Sequence, residues 1–357
     1  LRQTTLCHSK CLHLRATILN LNLAPYIMDS QNVINHTMQT NALQRVRELD
    51  FLKGILILLV IAFHLVYFST LYPYAKQVVY TFHMPAFLLL SGYLMNFEKG
   101  TRGVLRTLLW LVVPYVVMES SYIIMASILP IREHIDSLTL GVFIDKLLLH
   151  PIGPYWYLQT IVICGALWYA LRRWTVWKVT TKVLGIPVRA LLYIFIALLL
   201  GVEEVVTPAC AMYFLGGVLL RNFNVSLVRF FEGGWVALLM FACLITNVAH
   251  LDKATPMGIL IVYTFIGTCF FLYRYLPTAG QRSMEFLGRN SLVLYLFSPI
   301  FTILCKYLVP FLNFDPSGIL FLVLSLIVCV IGCLAIAKIL EFIGGSRYMF
   351  GRGKVIV

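Results

Sequence analysis

The stretch RELDFLKGILILLVIAFH at Arg47–His64 decides what kind of protein this is. Its first turns carry Arg47, Glu48, Asp50 and Lys53, and the ten residues from Gly54 to Phe63 then run without a polar side chain into an imidazole. Similar apolar runs recur along most of the 357 residues, so that 60% of the chain is hydrophobic and 12% charged, with a mean hydropathy of +0.87. Ordinary soluble domains carry about 25% charged residues, and a soluble globular protein is excluded. A hydrocarbon core about 30 Å thick takes roughly 20 apolar residues per helix. That window places spans at about 51–70, 78–97, 104–128, 155–171, 188–201, 205–220, 235–249, 257–276, 290–310 and 317–343. The expected fold is an all-α polytopic membrane helix bundle of about ten transmembrane helices, occupying residues 45–345 and followed by a basic tail at 346–357.

Charge tests this parse independently, because Lys and Arg collect on the cytoplasmic side. The connections that a cytoplasmic N-terminus puts inside hold most of the basic residues, from Arg45 and Arg47 through Arg172 and Arg173 to Arg347, Arg352 and Lys354. The opposite connections hold Lys76, Arg132, Lys146 and Lys253. Both termini are therefore expected in the cytoplasm. The formal net charge of +13 has its explanation here, in membrane topology rather than nucleic-acid binding. The turn Val202-Glu203-Glu204 must close a tight hairpin between the fifth and sixth spans, and the long connection 130–154 has the makings of an interfacial amphipathic helix near Leu147–Leu149.

Seven of the nine cysteines lie inside apolar runs and read as small hydrophobes. Cys7 and Cys11 fall in residues 1–44, a polar leader that reads as disordered or as an over-long gene start, with internal methionines at Met28 and Met38. Its CHSKCLH segment matches no common zinc spacing, and no metal is expected.

Ionisable groups inside spans are costly and mark functional sites by default. Eleven residues at about 100° each bring His64 within roughly 20° of Lys53 and about 16 Å further along the helix, with Asp50 within about 60° of both. Singly, Lys53 reads as a snorkelling anchor and His64 as an interhelical partner. Sharing one face, with Gly54 open beside Lys53, they point to function, His64 being suited to general-base work. His83 is a second acid/base or a substrate donor, ahead of Pro85, which should bend its helix. Deeper in that span, Ser91-Gly92-Tyr93 permits either close packing or contact with a ligand. Glu119, the carboxylate well inside a span, must be neutral or paired: it orients a histidine, holds a sugar hydroxyl, or bonds a neighbouring helix. The cluster Pro154-Tyr155-Trp156-Tyr157 is either an interfacial aromatic belt or a stacking surface for a sugar ring.

Four ordered blocks resemble the acyltransferase 3 family of integral-membrane O-acyltransferases, in particular its fucose O-acetylase-like branch. They are the Lys53 to His64 pattern preceded by Leu49-Asp50, FHMPAFLLLSGYL at Phe82–Leu94, PYWYL at Pro154–Leu158, and FLGRNSLVLYL at Phe286–Leu296. The resemblance implies transfer of an acyl group, usually acetyl from acetyl-CoA or another acyl-CoA, to a hydroxyl of a cell-envelope glycan or lipid-linked sugar. It implies a bacterial plasma membrane, with partners in glycan biosynthesis or export. Within it His64 matches the catalytic histidine and Lys53 the basic donor position, flanked by Asp50 and Arg47. From the reading of the buried polar and aromatic residues, Glu119 and His83 are the further catalytic candidates, and substrate contacts are expected from Ser91, Tyr93, Tyr155, Trp156 and Ser291. The late block departs from the family by continuing Tyr295-Leu296-Phe297-Ser298-Pro299 where a histidine is common. A transporter or flippase for a lipid-linked glycan is the competing reading, and a scaffold for glycan export a third; consumption of the donor separates an enzyme from either.

Overall fold

The computed structural model describes residues 46–128, 133–173, 182–183 and 186–357. The polar leader, with Cys7–His13, lies outside the described residues, as does Arg132. Residues 48–357 form one compact unit.

Among the described residues the regular structure is helical apart from one antiparallel pair of two-residue strands, Lys182–Val183 with Ile186–Pro187. Its helices are α1 (Arg47–His64), α2 (Val66–Leu71), α3 (Pro73–Leu94), α4 (Thr101–Ile128), α5 (Leu140–Leu148), α6 (Trp156–Arg173), α7 (Val188–Val202) and α8 (Pro208–Asn222). They continue as α9 (Leu227–Phe230), α10 (Gly234–Leu244), α11 (Pro256–Tyr273), α12 (Thr278–Arg289), α13 (Ser291–Leu304), α14 (Val309–Leu312), α15 (Ile319–Phe342) and α16 (Ser346–Phe350).

Helix occupies each of the ten apolar stretches, but not always as one rod. The first divides at Leu65, which is extended and buried, before the short α2. The second begins earlier than hydropathy suggests: Pro73 is preset for a first helical turn and starts α3 ahead of its apolar part, and α3 then runs through Pro85 without a break. The seventh shrinks to the 11 residues of α10. In the ninth, α13 gives way to a 3₁₀ turn at Cys305–Leu308 and then α14.

By length and composition, four segments among the described residues can cross a bilayer: Thr101–Ile128, Pro256–Tyr273, Ser291–Leu312 and Ile319–Phe342. The 15 residues of α7 and of α8 rise only about 22 Å each. The apolar outer surface is that of a membrane protein: α15 turns Ile327, Ile331, Ile339 and Phe342 outward, and α7 turns Phe195, Leu198 and Leu199 outward. Of the seven described cysteines only Cys243 is exposed. The hairpin between α7 and α8 is as tight as the acidic turn requires, with Glu204 at φ 55°.

Two glycine crossings bring backbones together. Gly92 of α3 and Gly217 of α8 each face a carbonyl of the other helix, those of Phe214 and Leu89, and this is the most extensive helix pair in the fold. Gly54 of α1 meets the Met284 carbonyl of α12, while Gly288 of α12 meets that of Asp50. The opening beside Lys53 is therefore filled by a helix. That helix, α12, was not among the expected spans, because its 12 residues TAGQRSMEFLGR are too polar for a hydropathy window.

Candidate active site

A cavity of about 270 Å³ lies among five helices. From α3 it is lined by Met84, Phe87, Leu90, Ser91, Leu94 and Met95, one helical stripe about 16 Å long by rise. Tyr157 of α6 and Ser291 and Tyr295 of α13 face it, Thr107 of α4 adds a hydroxyl, and Lys53 of α1 contributes an ammonium. The result is a narrow apolar slot with a few hydroxyls and a single ammonium, a shape for a thin chain rather than a compact ring. Inside it the Ser91 and Tyr157 hydroxyls are 2.7 Å apart, and the Tyr157 and Tyr295 rings meet edge-on at 5.3 Å. Lys53 Nζ is 2.6 Å from Asp50 Oδ1, and the lysine keeps 18% of its side chain exposed. Arg47 is the exposed first residue of α1.

At the other end of α1 and α3 two imidazoles flank Tyr80, whose ring lies 6.4 Å from that of His64 and 5.1 Å from that of His83. Each histidine places Nδ1 2.6 Å from the carbonyl four residues earlier, Val60 for His64 and Val79 for His83. A carbonyl only accepts, so Nδ1 carries the hydrogen and Nε2 of the neutral ring keeps its lone pair, the arrangement a proton acceptor needs. His64 is exposed and His83 is 3% exposed. Lys76 adds an ammonium 5.5 Å above the Tyr80 ring.

The sequence-derived site residues thus divide into groups. Lys53, Ser91 and Ser291 share the slot; His64 and His83 share Tyr80 beyond it. Lys53 and His64 lie on one helix as expected, yet His64 does not line the slot that Lys53 enters. Glu119 joins neither histidine: wholly buried, it accepts the Ile152 N–H at 2.8 Å through Oε1, and Oε2 has no hydrogen-bond partner among the described residues. Tyr93 serves the α8–α9 corner, its carbonyl accepting from Arg221 at 3.0 Å and its hydroxyl from the Leu227 N–H at 3.4 Å. Tyr155 is buried and donates to the Leu296 carbonyl at 2.9 Å, while Trp156, half-buried, opens α6. Tyr295 and Tyr80 carry no sequence-derived role, and Tyr157 is read only as part of the aromatic cluster at Pro154–Tyr157. Tyr157 and Tyr295 lie in the quoted PYWYL and FLGRNSLVLYL blocks, where only the turn of the helix tells which aromatic faces inward.

Glu119 belongs to a set of side chains gripping the backbone of residues 147–154. Tyr115 donates to Leu147 O at 2.7 Å, Gln159 donates to Leu148 O at 2.8 Å, Glu133 accepts the Gly153 N–H, and Tyr295 donates to Pro154 O. Just ahead, α5 buries none of its residues and exposes Leu140, Ile144 and Leu148 at helical spacing, an apolar face on the helix of the long connection. His150 then clasps this segment to the α7–α8 turn, with Nδ1 2.7 Å from Asp145 Oδ1 and Nε2 3.1 Å from Glu203 O. Both partners are acceptors, so the pair of bonds requires imidazolium. The Asp145 carboxylate accordingly raises the His150 pKa above its ordinary value, and His150 with Lys146 lowers that of Asp145. The clasp is complete below the ordinary histidine range, loosens as pH rises through the elevated His150 value, and also weakens in strong acid as Asp145 protonates. Protection of the 147–153 amides relative to their intrinsic exchange rates should therefore fall as pH rises through the elevated His150 value in the native chain, and His150→Gln should lose that step.

A family model described as "Acyltransferase domain" matches residues 46–338. The nodulation protein NolL of Mesorhizobium japonicum is 31% identical over 154 residues, covering 38% of this chain and 39% of that protein. The likeness thus spans well under half of the relative's length. No solved structure matches.

Proposed function

Because the chain belongs to the acyltransferase 3 family, matched over residues 46–338, we propose that this membrane acyltransferase moves an acetyl or similar acyl group from acyl-CoA to a hydroxyl of a cell-envelope glycan. The observation that carries the reading is the arrangement along α1: a thin slot lined by Lys53 and, about 16 Å along the same helix, an exposed imidazole whose Nδ1 is committed to Val60 O, which leaves Nε2 as the basic atom. An acyl-CoA is a thin chain between a polyanionic nucleotide and a thioester. Its anionic end belongs at Lys53, where the basic connections accumulate, and its pantetheine arm runs past the Ser91 and Tyr157 hydroxyls. The acceptor oxygen attacks the thioester carbonyl while His64 Nε2 takes its proton, and the departing thiolate is then protonated by the imidazolium. In the topology expected from the basic connections, with both termini in the cytoplasm of a bacterial plasma membrane, the donor enters from inside and the acceptor meets His64 at the far end.

The test is chemical analysis of envelope glycans from cells with and without the gene, together with release of free CoA from labelled acetyl-CoA by the purified chain. Loss of an O-acyl ester with stoichiometric CoA release supports transfer, and glycan movement without CoA turnover supports a carrier. Lys53→Ala is expected to raise KM for acetyl-CoA about tenfold with kcat little changed, the value of one charge-assisted hydrogen bond removed equally from ground and transition states. Steady-state kinetics checks it.

A further inference from the structure

We propose that Met84 is the gate between the donor slot and the histidine pair, and that its thioether must swing aside before the acyl group can be transferred. The inference rests on the reading above, in which the donor lies along the slot. The α3 stripe descends from Met95 to Met84 in steps of three and four residues, and Met84 is its last member. Tyr80 of α3 lies against His64 on one side and against His83 on the other, and Met84 is the next residue after His83, so Met84 adjoins the imidazole end of α3. It is 8% exposed and lines the slot, whereas neither imidazole is among the lining residues. Phe87, next along the stripe, is held with its ring 5.8 Å from that of Tyr157. Methionine, unbranched and with three side-chain torsions, is the lining residue suited to move.

With Met84 in place a thioester in the slot is shielded from water and from the acceptor. With Met84 aside, the carbonyl carbon reaches the space beside His64 Nε2. There the acceptor oxygen forms the new ester bond, the carbon–sulfur bond breaks, the hydroxyl proton passes to Nε2, and the thiolate receives it. The gate makes transfer conditional on a conformational step and limits loss of the acyl group to water.

The experiment uses the full chain in lipid nanodiscs with acetyl-CoA as probe, reading equilibrium binding of the labelled donor and release of CoA thiol, with and without host envelope glycan. Met84→Ala should hydrolyse acetyl-CoA without glycan roughly tenfold faster than the native chain, and Met84→Ala/His64→Ala should lose that gain. Met84→Phe should bind acetyl-CoA within about twofold of native and transfer at least roughly tenfold more slowly. Met84→Ile, which keeps the volume but branches at Cβ, should slow transfer likewise while melting close to the native chain. Native-like hydrolysis and transfer in all three single variants would overturn the gate and leave the acyl-CoA reading standing. A native chain that neither binds nor turns over acetyl-CoA would overturn both.

Discussion

His64→Ala is expected to lower acyl transfer by about 10²–10⁴-fold, the range a positioned general base supplies, while the protein keeps its fold. The two halves of this expectation rest on separate observations. The catalytic half follows from the ring itself: Nδ1–H is committed to Val60 O at 2.6 Å, which leaves Nε2 as the basic atom, and the side chain is exposed at the end of α1 where an acceptor can approach. The structural half follows from the same bond being local to one helix. Removing the imidazole leaves Val60 O in its own helix and opens no core cavity, so unfolding should shift by less than about 1 kcal/mol. His83→Ala makes the informative contrast: 3% exposed, it should melt lower because a buried ring is lost. Unchanged turnover in His64→Ala, with intact thermal melting, would remove the proposed base.

What the sequence made legible here was mostly one-dimensional. The α1 helix carrying Lys53 and His64, the hairpin at Glu203-Glu204, an amphipathic helix before Pro154 and helices at the ten apolar stretches all follow from hydropathy, turn chemistry and helical angle, which are properties of consecutive residues. The span count proper is another matter, since α7, α8 and α10 are short and α13 is broken by a 3₁₀ turn, features that depend on neighbouring helices. The site divides the same way. Lys53 and Ser91 were found because a charge or a Ser-Gly pair in an apolar run is conspicuous, and both face the slot. Glu119 was equally conspicuous, yet its partner, the Ile152 N–H, lies 33 residues away in a loop, which no periodicity reports. Tyr157, Tyr295 and Met84 look like ordinary packing residues, and only their convergence on one cavity distinguishes them.

That cavity depends on the α3–α8 crossing, which makes Gly92→Val and Gly217→Val the substitutions with the largest expected effect on stability. A Cβ at Gly92 would fall on the Phe214 carbonyl oxygen, and one at Gly217 on the Leu89 carbonyl oxygen, with the Tyr93 N–H close by. In each case the obstacle is backbone inside a helix, so no rotamer relieves it and the helices must separate. Small residues at such crossings are what let membrane helices approach, and each valine should cost about 3 kcal/mol or more, the upper range for overpacking. Gly216 provides an internal control one residue away on the same helix, because nothing lies within 4 Å of a Cβ built there. Gly216→Ala should leave thermal melting unchanged or raise it slightly through helix propensity, about 1 kcal/mol at most. Functional loss should follow the same order, since Ser91 adjoins Gly92 and moving α3 pulls its hydroxyl from Tyr157. Melting curves of the four proteins in one detergent decide the matter: valine variants that melt with the native chain would show that α3 and α8 are not held at backbone contact.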